Sequence, residues 1–171
     1  FADRKAKGFN VVQTVVVQML ADKNIYGDTA LVDGDITKLN LTPGGDPNDS
    51  MQYDYWDHVD FIIERAAAND IYLAVAPTWS HTVRRAPISK EQVEIYATVI
   101  AERFKNKPNI IWLNGGSAKG DVDKDIWEAI GTTIKKVDKN HLMGFHTFGR
   151  SQSSTWFHDA SWLDVNMFVS G

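Results

Sequence analysis

The sequence predicts an α/β fold of the (β/α)8 TIM-barrel type, present as an incomplete barrel of about five parallel strands with helices between them. Three observations carry this expectation. Five short runs are near-continuously apolar instead of alternating, which is the pattern of parallel strands covered on both faces. Segments of helical periodicity separate them, and that order is built most economically from parallel βαβ units. No G-x-G-x-x-G follows the first apolar run, so the competing architecture, an open doubly wound sheet, lacks its dinucleotide fingerprint. A complete barrel takes about 250 residues. The 171 residues here form one domain, residues 1–171, with room for part of one.

The elements follow in order. FADRKAKGF reads as the tail of a helix and has no signal-peptide pattern. GFNVVQTVVV (Gly8 to Val17) is short and Val-rich, hence a buried strand. A long loop, about Asp22 to Asp54, follows it with Gly27, Gly34, Pro43, Gly44, Gly45 and Pro47. Loops of that length inside compact domains are uncommon unless functional, and this one leaves a strand end. Tyr55 to Ala68 places Trp56, Val59, Ile62, Ile63 and Ala66 on one helical face. Ile71 to Trp79 is the second strand. Ser89 and Gln92 have the spacing of a capping box, and Val93, Tyr96, Ala97, Ile100 and Phe104 continue as a helix that stops before Pro108. Asn109 to Gly116 is the third strand, and a helix from about Val122 to Val137 buries Ile126, Ile130 and Ile134. His141 to Thr147 is the fourth strand. A short helix near Ser153 or Ser154 carries Trp156 and Phe157, and Leu163 to Gly171 is the fifth strand. A chain that opens inside a helix and closes at a strand exit reads as an excerpt of a barrel.

Composition narrows the function. The net charge is −4 and only Arg84 and Arg85 cluster. A phosphate backbone calls for a basic stripe, so nucleic acid is not the expected partner. No apolar run reaches membrane-helix length. There is no cysteine, which excludes disulfides and thiol chemistry.

In a barrel, chemistry collects where strands exit toward helices. Those positions are Gln18 after the first strand, Trp79 and His81 after the second, and Asn114 to Ser117 after the third. His146 and Arg150 follow the fourth, Trp156 lies in the next loop, and Asn166 lies in the fifth. This set is polar, aromatic and mostly uncharged. It suits a sugar, whose ring faces stack on aromatics and whose hydroxyls bond amides and imidazoles. Trp56, Trp112, Trp127 and Trp162 lie inside elements or packing positions and are expected in the core. Histidines 81, 146 and 158 lack the H-x-H or H-E-x-x-H spacing of a metal site, and the acidic loop lacks EF-hand spacing. No metal or cofactor is therefore expected. Glycoside hydrolysis usually needs two carboxyl groups, about 5 to 9.5 Å apart. No Glu stands at any expected strand exit, Asp121 lies beyond the third strand, and Asp164 sits early in the fifth, expected to point away from the functional end.

Several long segments nevertheless resemble one family in the right order. YWDHVDFIIERAAANDIYLAVAPTW, YATVIAERFKNKPNIIWLNGG, HLMGFHTFGRSQSSTWFHDASWLDVNMFVSG and YGDTAL resemble the apiosidase-like glycoside hydrolases. The resemblance implies a (β/α)-barrel catalytic domain and a retaining hydrolase of plant cell-wall glycans, acting in some members on apiose-containing pectic side chains. It implies a periplasmic or secreted full-length protein, and further strands that these residues do not include. One of those strands bears the nucleophilic Glu. The remaining strands, or self-association at open strand edges, are then the expected protein partners. It also implies a general acid/base Asp directly after the Gly-Gly of the third strand. Here that position is Ser117, whose hydroxyl holds its proton too tightly to act as an acid near neutral pH. Val169 stands where members often carry Gln, and Gly144 where Thr is common. A non-catalytic carbohydrate-binding relative of the same fold is the alternative.

Overall fold

The computed structural model describes residues 1–170. Gly171, the expected end of the fifth strand, lies outside the described residues. Four parallel strands form one sheet in the order β1 (Val11–Val17), β2 (Tyr72–Thr78), β3 (Ile110–Ala118) and β4 (Met143–Thr147). Spatial order equals chain order, as in one sector of a barrel wall. Val15 pairs with Ala76, Val75 with Trp112, and Gly115 with His146.

Helices return the chain on the outer side. They are α1 (Ala2–Ala6), α2 (Tyr55–Ala67), α3 (Ser80–Arg85), α4 (Lys90–Phe104), α5 (Lys124–Val137) and α6 (Ser154–Phe157). The Ser89–Gln92 capping box is present at α4, with Ser89 N–H donating to Gln92 Oε1 at 2.9 Å. A second box, formed by Asp54 and Asp57, opens α2: the Asp54 carboxylate accepts from Trp56 N and Asp57 N at 2.7 and 3.0 Å.

Period-two alternation sorts the sheet into two faces. Leu73, Val75, Ile110, Trp112, Met143 and Phe145 point outward into the main core beneath α2, α4 and α5. Trp56, Trp112, Trp127 and Trp162 are buried there, as expected. Ala74, Ala76 and Leu113 face the opposite, barrel-interior side with Val15, Trp79 and Met167. Small side chains on β2 leave that face shallow and bring Trp79 down onto it.

The fifth strand is the main correction. Val165 makes a single parallel bridge to Gly144, and Asp164 N and Val165 N both donate to Met143 O. The chain then turns away, and β6 (Phe168–Val169) pairs antiparallel with β5 (Ser151–Gln152). The cause is local. Asn166 Oδ1 accepts from Ser153 Oγ and Ser154 N, while Ser153 Oγ receives Met167 N, which ties the segment to α6 instead of to β4. A Cβ at Gly144 would meet Met167 Sδ at 3.0 Å, so the glycine is what admits Met167 to the inner face.

The long loop folds on itself rather than staying open. Ala30, Leu31 and Ile36 are buried, and Trp56 Nε1 donates to Ala30 O at 2.8 Å. The loop is thus part of the core at the end of the sheet where β1 exits.

Candidate active site

β2 and β3 pair only as far as Val75 and Trp112, and main-chain carbonyls left without ladder partners are unfavourable when buried. Hydroxyls from the helices replace those partners. Tyr55 OH donates to Val16 O at 2.6 Å and Tyr96 OH to Pro77 O at 2.7 Å. Thr82 Oγ1 donates to Gln18 O and Ser80 Oγ to Gly116 O. Burial pushes the Tyr55 phenol up to about 12 and Tyr96 well above its usual value, so both remain protonated donors. These clamps fix the exits of β1, β2 and β3 relative to one another.

Between them β3 ends in an irregular turn. The pairing register with β4 shifts between Gly115 and Ala118. Gly115, Gly116 and Ser117 all have positive φ, at 90°, 121° and 57°. A side chain at Gly116 would collide with the Trp79 ring, 2.8 Å from Cγ and Cε3. The glycine therefore lets Trp79 lie against the main chain. The Trp79 and His146 rings are 5.0 Å apart at 51°, and Ser117 N–H donates to His146 Nδ1 at 3.2 Å. Burial lowers the His146 pKa below its ordinary 6.5, so the ring is neutral at pH 7. Ser117 itself is exposed at the mouth of this cluster.

The structure thus brings together three of the sequence-derived candidates: Trp79, Ser117 and His146. Gln18 is exposed at the exit of β1, its N–H held by Asp22 Oδ2 at 2.8 Å. Arg150 is exposed and left-handed (φ 61°), anchored by its N–H to Val169 O. Three placements differ from expectation. Asn114 is buried, with its Nδ2 donating to Trp127 O and its Oδ1 accepting from Gly115 N, so it braces β3 against α5 and faces away from the mouth. Asn166 Oδ1 is used in holding α6, as described above. His81 is carried by α3, an unexpected helix, and borders a hollow with Met19, Leu20 and Ala21 instead of joining Trp79. Trp156 packs over Gly120 and lines a groove with Lys124 and Glu128, on the α5 and α6 side.

Two acidic residues follow Ser117 in the connection to α5. Asp121 is exposed, and Asp123 faces Arg84 at 3.7 Å. Asp164 points away from the mouth as expected, since its Oδ2 accepts from Met143 N and Lys135 Nζ, both at 2.8 Å, at the start of β4.

Phe148 was missed by the sequence reading. It is half exposed, its N–H donates to Ala118 O, and it lies two residues beyond His146 at the same strand exit. The period of two that puts His146 inward was the available signal.

Comparisons with known proteins give the family and the fold. A family profile described as "Apiosidase-like, catalytic domain" matches residues 1–171. The chain belongs to the apiosidase-like catalytic-domain family. Among solved structures, this apiosidase-like chain is similar to one described as "Glycoside hydrolase", at 41% identity and TM-score 0.85, covering 98% of this chain and 36% of that one. It is similar at 40% identity and TM-score 0.87 to a glycoside hydrolase family 5 protein from Bacteroides vulgatus, covering 98% and 35%. An endocellulase from Pyrococcus horikoshii shares the fold at 16% identity and TM-score 0.53, covering 85% and 44%. The chain thus spans about a third of the length of the two more similar structures, as a four-strand sector of a (β/α) barrel. A comparison with curated proteins finds no match.

Proposed function

We propose that this apiosidase-like sector is the sugar-gripping wall of a retaining glycoside hydrolase of plant cell-wall, pectic glycans. The intact protein is secreted or periplasmic, and its nucleophilic Glu is carried by a strand these residues do not include. The observation that carries the reading is the Gly115–Gly116–Ser117 turn. It sets position 117 at the mouth, beside a tryptophan and a neutral histidine. Ser117 sits at φ 57°, a region that Asp tolerates better than most residues. Three of the other four non-glycine residues with positive φ here are aspartates: Asp33, Asp70 and Asp123. The backbone conformation at 117 is thus compatible with the Asp that the resemblance implies as acid/base, while the side chain present is a hydroxyl.

The alternative is a non-catalytic carbohydrate-binding relative of the same fold, which would grip sugar without turnover. Replacement Ser117→Asp in the intact barrel separates the two. Acid/base assistance contributes roughly 10² to 10⁴-fold. An increase of that order on a natural glycan is the expected result. An unchanged rate on both an aryl glycoside and a natural glycan sinks the acid/base assignment and leaves the binding reading.

A further inference from the structure

We infer that His146 grips its ligand as a hydrogen-bond donor through Nε2–H, and that the main-chain N–H of Ser117 is what fixes it in that role. The inference rests on the reading that the Trp79–His146 face holds a sugar. A neutral imidazole carries one proton, and a ring nitrogen that accepts a hydrogen bond is the one without it. Nδ1 accepts from Ser117 N at 3.2 Å, so the proton is on Nε2. The donor reaches Nδ1 because Ser117 is left-handed inside the irregular stretch between Gly115 and Ala118, which turns its N–H toward β4. Trp79 covers one side of the imidazole. The same logic orients metal-binding histidines, where the partner of one nitrogen sets the chemistry of the other.

The consequence is a rule for what can sit opposite. The ligand atom must offer a lone pair, as a hydroxyl, ring oxygen or carboxylate does. A protonated amine at that position is rejected. His146 is not a base for the reaction, since its outward nitrogen already holds the proton. Residue 117 also contributes through its backbone, so Ser and Asp serve this function equally.

Long-range proton–nitrogen correlation spectra of the nitrogen-labelled intact protein test the tautomer directly, with the His146 signals assigned by their loss in His146→Gln. The expected pattern at neutral pH is a protonated Nε2 and an unprotonated Nδ1. The reverse overturns the proposal. The second measurement is affinity for a methyl apioside. A glutamine amide reaches the Nε2 position and can donate there, whereas an asparagine amide reaches only the Nδ1 position. His146→Gln should keep Kd within about threefold, and His146→Asn should weaken it roughly tenfold, the scale of one lost hydrogen bond. Equal Kd for the two variants overturns the donor role. Failure of the sugar-face reading shows differently: Trp79→Ala would then leave Kd unchanged.

Discussion

The two ends of the sheet are built on opposite principles. At the N-terminal end, polar side chains are spent on holding the strands in place. Asp138 is buried and accepts from Trp112 Nε1 at 2.8 Å, from His141 Nδ1 at 2.6 Å, and from the N–H groups of Asn140 and His141. Burial opposes its ionisation, but these four donors outweigh that and hold its pKa below the usual carboxylate value. Asn109 Nδ2 bridges Ile63 O and Ile71 O, and Asp164 joins Lys135 to the start of β4. At the C-terminal end, the helix hydroxyls satisfy the main chain. The freed region carries positive-φ residues, an exposed Ser117 and a histidine with one nitrogen still available. In barrels the first end serves stability and the second function. Here the division can be seen in which atoms are already partnered.

The comparison can be broken first at the stable end. Asp138→Ala leaves Trp112 Nε1 buried without an acceptor, along with the main-chain N–H groups that the carboxylate served. Unsatisfied buried donors of this kind cost about 3 kcal/mol in sum. In a domain of 150–250 residues that would lower Tm by roughly 6–12 °C, and in a longer intact protein by less. Calorimetry of the intact protein checks the loss. Affinity for a methyl apioside, measured below the transition, should be unchanged. A binding defect as large as the stability defect would mean that the two ends are not separable.

A smaller effect of opposite kind is expected from Gly116→Ala. The added methyl runs into the Trp79 ring, and φ of 121° is unfavourable for any L side chain. Overpacking costs about 1–3 kcal/mol where the neighbours must stay. Trp79 is only partly buried, so it can swing aside, and the damage should fall on the Trp79–His146 face. The expected outcome is a Kd weakened roughly tenfold, about 1.4 kcal/mol, with a Tm loss smaller than that of Asp138→Ala. Unaltered Kd with a large Tm loss would make Trp79 a packing residue.

Most of the fold was legible in the sequence because period and composition are local properties. Four of the five apolar runs became sheet strands, and the Ser89–Gln92 box stands at the start of α4. The fifth run failed because its fate depends on Asn166 and Ser153 meeting across 13 positions, which no pattern within the run encodes. The site was legible only in part for a similar reason. Strand exits name candidate positions, but not which way a side chain turns. Asn114 and His146 both stand near exits. One is turned outward to α5, and the other inward to Trp79. The helix α3, which removes His81 from the mouth, is a six-residue element held by contacts of Ser80 and Thr82 to other strands. Its sequence SHTVRR carries little helical signal of its own.

The smallest expected effect tells the two ends apart by pH. The His146 pKa is lowered in the folded protein because burial disfavours its charged form. Between its ordinary 6.5 and its lower folded value, the unfolded chain therefore binds more protons at this site. This contribution to stability is present in full above 6.5 and is lost as pH falls through the folded value. Asp138, also lowered, acts in a second and more acidic window. Its contribution is present above the ordinary 3.8 and is lost as pH falls through its own folded value. Chemical unfolding followed from pH 8 to below 3.8 should show the upper decline and the onset of the lower one. His146→Gln should flatten the upper one alone, and Asp138→Asn the lower one alone. Protonation of Nδ1 also sets two donors against each other, so acid should release Ser117 N–H while β4 and the Asp138 network stay intact. Amide exchange at Ser117 that rises in the upper window, with no change at Asn140 and His141, is the signature of a mouth that loosens before the base of the sheet does.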